Sequence, residues 1–234
     1  MIVTEDISQL PRMWYHGTTS LHLNSFNRNG VSITAAPRGR RTDFGRGFYL
    51  TSNWEQAYRW AKGACDREMD ENPQKELVPI IVECEIDTES FTFLKNKMFT
   101  HTDLEWANFI LGNRIYNHDP SYHVKGKVDP KSTPVTKFTD AIMDEQEIMD
   151  DSPYHYVYGP MADGRYLKTY LERVRRGHMR PDEFLDKAVS QKYKFPVSHQ
   201  LSINTFEALR YLHLRGVFNI AEGNWQHPVT SKEA

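Results

Sequence analysis

Cysteine, long apolar runs and excess charge are the features that this sequence has least of. Cys65 and Cys84 are the only cysteines among 234 residues, which excludes a disulfide framework and a zinc site built from cysteines. No apolar run approaches the roughly 20 residues that span a bilayer. The first ten residues also lack the basic and apolar regions of a secretory signal peptide. We therefore expect no membrane partner and a cytoplasmic protein, with export by a specialised system as the alternative.

The charge balance and the composition predict one ordinary domain. The formal net charge is -2, so no basic surplus favours nucleic acid as a partner. A hydrophobic content of 39% with 12% aromatic residues is enough for one core in a chain of this length. We expect a single domain over residues 1–234, in which the proline-interrupted and partly acidic residues 116–154 form an insertion or a surface embellishment.

The most informative stretch runs from Asp43 to Thr51. Gly45 and Gly47 flank Arg46 and allow a tight turn or a close approach of the backbone to a ligand. The residues that follow them, 48–51, favour a short strand.

A helix is predicted directly after this stretch. Ser52, with Glu55 three residues on, forms a capping box, and apolar residues recur at helical spacing from Trp54 to Cys65. A turn, an aromatic strand and a capped helix make a unit that could hold a flat ring. A buried strand–helix corner is the alternative.

Two further segments carry polar side chains on predicted strands. Residues 13–15 predict a strand that ends at a turn over His16-Gly17-Thr18-Thr19-Ser20, where a ring nitrogen and a backbone amide could meet one ligand. A histidine that caps the turn is the alternative. Residues 199–205 alternate and predict a late strand that carries Gln200. Residues 21–41, between the first strand and the glycine turn, are predicted to be loop and short turns.

Two charged residues beside predicted helices have a structural and a ligand-binding interpretation. Arg114 follows a helix that ends near Gly112, where its charge would also suit the helix C-terminus. Asp163 follows Gly159-Pro160 and is placed to cap the next helix.

In this order, the segments resemble the ADP-ribosyltransferase superfamily, whose signature is a His, a Tyr and a third polar residue, commonly Glu, on three separate strands. More narrowly, the chain is similar to a small bacterial family, formerly a domain of unknown function, that includes a secreted effector modifying a threonine of host ubiquitin. The resemblance spans Met13 to Leu212. Its blocks are His16-Gly17-Thr18, Asp43 to Thr51, Glu105-Trp106 with Asn113-Arg114, Gly159 to Asp163, and Gln200 to Leu209.

The resemblance implies a fold, an activity and a set of site residues. The fold would be α+β, with two small mixed or antiparallel sheets forming an NAD cleft and with peripheral helices. The activity would be mono-ADP-ribosyl transfer from NAD, used as a co-substrate without a metal, with release of nicotinamide. His16, Tyr49 and Gln200 would be catalytic. The NAD-binding set would be His16, Gly17, Thr18, Phe44, Gly45, Arg46, Gly47, Tyr49, Asn53 and Trp60, with Arg114, Asp163 and Glu207 as accessory residues.

By position, the Gly17 backbone would bind the nicotinamide amide, His16 a ribose hydroxyl, and Tyr49 the nicotinamide ring. A cationic pyridinium is attracted by an aromatic face, by about 0.5–2 kcal/mol. Gln200 stands where many transferases have Glu, and an amide holds a hydroxyl but carries no charge and cannot act as a base. Asp43, Asp163 or Glu207 would then be the candidates to supply a carboxylate.

The acceptor implied by this pattern is a protein side chain. Without a strong base at residue 200, a hydroxyl such as that of threonine is favoured, and ubiquitin is a candidate target. Such a protein would act as a bacterial effector or toxin, in the cytoplasm or delivered into a host cell. The alternatives are a non-catalytic module that binds a nucleotide or ADP-ribose, and a toxin that hydrolyses NAD.

Overall fold

A computed structural model describes residues 6–33, 42–116, 154–162, 166–188 and 196–226. Two four-stranded sheets and several helices make an α+β fold, as predicted. The strands are β1 (Met13–Thr19), β2 (Phe48–Leu50), β3 (Pro79–Ile86), β4 (Asn96–Met98), β5 (Tyr156–Pro160), β6 (His199–Ile203), β7 (Leu212–Asn219) and β8 (Asn224–Gln226). The α-helices are α1 (Leu23–Asn29), α2 (Trp54–Glu71), α3 (Thr88–Phe91), α4 (Leu104–Leu111), α5 (Leu167–Arg175), α6 (Pro181–Leu185) and α7 (Phe206–Leu209).

The two sheets differ in strand direction. The first sheet has the order β1-β3-β7-β8 and is antiparallel throughout. The second has the order β2-β6-β5-β4 and is mixed, because β4 and β5 run parallel. Strands that are distant in sequence are therefore neighbours in space, and β6 lies between β2 and β5.

One bridge joins the sheets where the predicted site segments meet. The N–H of Tyr15 donates to the Thr51 carbonyl at 2.8 Å, and the N–H of Thr51 donates to the Tyr15 carbonyl at 2.9 Å. This antiparallel contact brings β1 of the first sheet to the end of β2 in the second. Among the described residues, β1 and β2 share no further backbone hydrogen bond, so the two strands part beyond the bridge.

Helix α2 packs against β1 at Gly17. A Cβ atom built on Gly17 would lie 2.0 Å from the carbonyl oxygen of Ala57 and 2.8 Å from the amide nitrogen of Ala61. Only glycine therefore allows the helix backbone to come this close to the strand. Asn53 caps α2 through its side-chain oxygen, which accepts from the Gln56 N–H at 3.2 Å. The predicted cap at Ser52 is wrong by one residue.

Apolar side chains fill two layers. The inter-sheet core lies between the sheets and includes Trp14, Leu50, Ile80, Tyr158 and Leu201. The outer core lies on the other face of the second sheet, beneath α4, α5 and α6, and includes Phe44, Trp106, Ile110, Val157 and Phe184. Because both faces of the second sheet are covered, all five residues of β6 are buried.

Two local predictions are corrected. The segment His16 to Thr19 is not a turn, because β1 continues through it and pairs with β3 as far as Thr19. Residues 23–29 form α1 instead of loop. Most of the predicted insertion, residues 117–153, lies outside the described residues, so that prediction stays open. In the part of the chain that the structure describes, no helix is both long enough and apolar enough to cross a membrane.

Candidate functional site

Strand register gathers several of the predicted residues on one face. Directly paired residues of an antiparallel ladder point to the same face, so the Tyr15–Thr51 bridge puts Tyr49 on the same face as Gly17. Tyr49 pairs with Ser202, and Gln200, two residues away on β6, shares that face. Helix α2, which carries Trp60 next to Ala61, covers Gly17 from this face. The place where β1 and β2 separate is therefore lined, on one face, by Gly17, Tyr49, Gln200 and helix α2.

The backbone of Gly17 lies on an open strand edge. The N–H and C=O of Tyr15 point toward Thr51 and away from β3. Because these directions alternate along a strand, the N–H and C=O of Gly17 point the same way. None of the described hydrogen bonds uses them. A backbone donor and acceptor therefore lie side by side next to the Tyr49 face, and Gly17 has no side chain of its own to cover them.

His16 lies on the opposite face of β1 and is held by the backbone of β2. Its Nδ1 is 2.7 Å from the Tyr49 carbonyl oxygen. A carbonyl only accepts, so Nδ1 carries a proton and donates it to this contact. The His16 ring also packs against Phe48, with ring centres 4.4 Å apart. His16 and Tyr49 are thus brought together through a main-chain atom, and their two rings lie on opposite faces.

The Tyr49 hydroxyl is tied to the glycine turn. It donates to the Gly45 carbonyl at 2.7 Å and accepts from the Phe44 N–H at 2.9 Å. Gly45 has a φ of 80°, which other residues rarely adopt. Burial raises the pKa of Tyr49 to about 12, so the phenol stays protonated at neutral pH. The hydroxyl therefore fixes the ring against the turn and does not act as a base.

Gln200 meets a buried carboxylate that comes from the glycine turn. Its Nε2 lies 2.6 Å from Oδ2 of Asp43, and the same oxygen accepts from the Ala162 N–H at 2.9 Å. Gln200 is 5% exposed and Asp43 3%. The sequence made Asp43 one of three candidates for a carboxylate, and it is the one that the fold brings to Gln200.

Arg114 is the counter-charge of this cluster. Its Nε donates to Oδ1 of Asp43, and the neighbouring Asn113 donates from Nδ2 to the Asp43 carbonyl at 3.0 Å. Both residues belong to a π-helical turn, Gly112–Tyr116, that continues α4. Such turns are rare and recur at functional sites. Here the turn points two successive polar side chains at one residue, so Arg114 does more than serve a helix terminus.

Several residues of the predicted NAD-binding set have structural contacts. The Phe44 ring is 1% exposed and lies in the outer core, stacked on Phe99, so contact with a ligand would require it to move. Asn53 caps α2 and also donates from Nδ2 to the Val197 carbonyl at 3.0 Å. A Cβ on Gly47 would lie 2.3 Å from the Ser202 hydroxyl, which explains a glycine there by packing alone.

The remaining predicted residues are placed as follows. Thr18 is buried within β1, and Arg46 is half-buried in the turn. Glu207 lies on α7, beyond the end of β6 that is remote from Gln200, and its carboxylate is 3.5 Å from the His155 ring. Asp163 lies outside the described residues. Among those described, no three His, Cys, Asp or Glu side chains cluster as metal ligands.

A buried histidine beside the site was not singled out from the sequence. His199 has no exposed surface. Its Nδ1 donates to the Pro196 carbonyl at 2.9 Å, and Nε2 accepts from the N–H and hydroxyl of Ser52 at 3.1 and 2.9 Å. The Gln56 side chain donates from Nε2 to the His199 carbonyl at 2.7 Å and accepts at Oε1 from the His199 N–H at 3.2 Å. These contacts tie the start of α2 to β6, and no periodic signal in the sequence would have revealed them.

This histidine predicts an acid-sensitive fold. Burial lowers the pKa of His199 to about 4, whereas the unfolded chain binds that proton below about pH 6.5. The contribution of neutral His199 to the free energy of unfolding is therefore fully present above pH 6.5. It is lost as the pH falls toward 4, by up to roughly 3 kcal/mol. Urea unfolding between pH 4 and 8 measures how the free energy of unfolding changes with pH, and the slope of that dependence is the quantity to compare. His199→Gln should flatten it, whereas His178→Gln on the surface should not. Equal slopes in wild type and His199→Gln would contradict the prediction.

These features define an α+β protein with a polar cluster and an open strand edge where its two sheets meet. The sequence model of a family described as "Protein of unknown function (DUF3990)" matches residues 15–214. The chain belongs to this family, and the matched segment contains every site residue discussed above. Comparisons with curated proteins and with solved structures found no match.

Proposed function

We propose that this protein is a mono-ADP-ribosyltransferase that uses NAD, transfers ADP-ribose to a protein hydroxyl such as that of threonine, and releases nicotinamide. The single observation that carries the proposal is the open edge of β1 at Gly17, next to Tyr49. An amide needs one donor and one acceptor in fixed positions, and a bare stretch of strand backbone supplies both rigidly.

The surroundings of this edge suit an oxidised nicotinamide ring. The ring is flat and cationic, and the half-buried Tyr49 side chain is held on the Gly17 face by two hydrogen bonds. Trp60 is the aromatic residue of α2 next to Ala61, which packs on Gly17. Aromatic faces attract a cation, and rigid backbone groups orient it without reorganisation.

Gln200 and Asp43 act on the ribose side. In this chemistry the bond between ribose C1′ and the nicotinamide nitrogen breaks and its electron pair leaves with nicotinamide. The acceptor oxygen then bonds to C1′, and its proton passes to solvent. The His16 ring lies on the opposite face of β1, so His16 would act by holding the Tyr49 carbonyl through Nδ1 and not by touching the ribose. Gln200 supplies an amide and Asp43 a carboxylate that Arg114 balances.

Labelled NAD tests the proposal on Tyr49. Tyr49→Ala should weaken NAD affinity by roughly 2- to 30-fold, since it removes the ring face, and should reduce labelling of the acceptor at least as much. Tyr49→Phe keeps the ring and loses only the bonds to the turn, so most of the affinity should remain. Affinity is measured by calorimetry, and transfer with biotinylated NAD on lysate protein and on purified ubiquitin.

The exposed residue Phe93 provides the control for loss of an aromatic ring elsewhere, and Phe93→Ala should label like wild type. Unchanged labelling in Tyr49→Ala would remove the ring platform from the proposal. No nicotinamide release by the wild-type protein would contradict a transferase altogether.

A non-catalytic binding module is the second candidate, and the pairing of Asp43 with Arg114 favours it. That ion pair leaves no net negative charge at Gln200 to stabilise a cationic transition state. NAD binding without nicotinamide release over hours would support this candidate. Rapid nicotinamide release without labelled protein would instead indicate NAD hydrolysis.

A further inference from the structure

The side-chain amide of Gln200 is held in one orientation by Asp43. Oδ1 of the carboxylate accepts from Arg114 and Oδ2 from the backbone N–H of Ala162, as expected of an ionised acid. An ionised carboxylate has no proton to donate. The part of the Gln200 amide that meets it at 2.6 Å must therefore be the NH2 group.

This orientation leaves the amide oxygen as the other polar atom of the side chain. Gln200 is 5% exposed, yet no described residue donates a hydrogen bond to Oε1. Oε1 is not among the fully buried side-chain atoms that lack a partner, so the small exposed part of the side chain includes this oxygen. The side chain lies on the Tyr49 face, where the two sheets meet. An acceptor that is held in one orientation and stays accessible at that place can take a hydrogen-bond donor from a ligand.

We propose that Asp43 is a positioning residue, which fixes the Gln200 amide so that Oε1 is the atom that accepts a hydrogen bond from a ribose hydroxyl of the substrate. This inference rests on the proposed transferase function and explains how it works without glutamate. Without Asp43, the Gln200 amide could rotate and present either its oxygen or its NH2 group to the hydroxyl. Only the orientation with the oxygen toward the hydroxyl would accept its hydrogen bond. Bound to Asp43, it imitates one oxygen of a carboxylate and carries no charge.

The polarity of this contact can be tested without NAD. Gln200→Glu places two carboxyl groups at hydrogen-bond distance, and like charges so close share one proton. The variant should melt several degrees below wild type at pH 7.5, and the gap should narrow as the pH is lowered, because a shared proton removes the repulsion. Glu89→Gln, an exposed acid–amide exchange, should follow wild type over the same pH range.

A double-mutant cycle tests the positioning role. Asp43→Asn should reduce the kcat of nicotinamide release by about tenfold or more, the effect of one hydrogen bond, with the KM for NAD changed less than about threefold. In a Gln200→Ala background the same exchange should change kcat by less than about twofold, because Asp43 acts through Gln200. A residue that only supports the fold would instead lower the activity of both backgrounds alike.

The outcomes separate the two claims. An inactive wild-type protein overturns the proposed function together with this inference. An active wild type with additive effects of Asp43→Asn and Gln200→Ala overturns the inference alone. A melting gap of Gln200→Glu that is independent of pH also overturns it, even if Asp43→Asn fails to fold.

Discussion

Gly17→Ala should strongly destabilise this protein, although it adds only one methyl group. The new Cβ would lie 2.0 Å from the Ala57 carbonyl oxygen and 2.9 Å from its carbonyl carbon. Both are backbone atoms inside α2, so no side chain can turn away and the helix itself must shift. We expect a loss near or above the ~3 kcal/mol at the top of the range for overpacked interiors. The melting temperature should fall by roughly 6–12 °C, measured by calorimetry.

Gly63→Ala is the matched control, because it adds the same methyl group on the same helix. At Gly63 the nearest atom to a new Cβ is Nη1 of the flexible Arg67 side chain, at 3.4 Å. Alanine is the better helix former, so this variant should gain up to about 1 kcal/mol. If Gly17→Ala melted within about 2 °C of Gly63→Ala, α2 would not lie against β1 as described.

The same pair of variants separates packing from ligand binding. Gly17→Ala also disturbs the open strand edge that the proposed function assigns to the nicotinamide amide. If Gly17→Ala stays folded at 15 °C, its NAD affinity should fall further than that of any Tyr49 variant, since the helix shift moves a whole wall of the site. Gly63→Ala should bind as wild type does.

Local patterns predicted much of the fold. Strands β3 and β6 and helix α2 follow from side-chain periodicity, and the turn before β2 follows from its two glycines. Capping residues were misplaced because Ser52 and Asn53 are both good caps, and the choice between them depends on tertiary contacts. Ser52 is instead bound to His199, and Asn53 to Val197. The segment at His16 looked like a turn because nothing local indicates that β3 pairs with it.

The sequence gives the types and the order of the candidate site residues, but not the contacts between them. His16, Tyr49 and Gln200 were chosen by type and order, and their assigned roles stay predictions. The contact between Asp43 and Gln200 joins residues 157 positions apart, and no periodicity reports such a pair. The same is true of Gln56, whose amide binds the His199 backbone across 143 positions. Buried polar contacts of this kind appear only once the strands have been arranged.

Arg114→Met should cost about 3–5 kcal/mol at pH 7, because it leaves a buried carboxylate without its counter-charge. Methionine preserves most of the aliphatic stem, so packing changes little. Asp43 would keep only the hydrogen bonds from Ala162 and Gln200. The expected fall in melting temperature is roughly 6–20 °C, and chemical unfolding at pH 7 measures the loss directly.

Arg176→Met on α5 is the control, since Arg176 pairs with Glu172 on the surface at 2.7 Å. Exposed pairs contribute little, and this variant should lie within about 1 kcal/mol of wild type. Equal stabilities of the two methionine variants at pH 7 would mean that the ion pair does not hold the cluster together. The Asp43 carboxylate would then be solvated, and the fixed orientation of Gln200 would lose its physical basis.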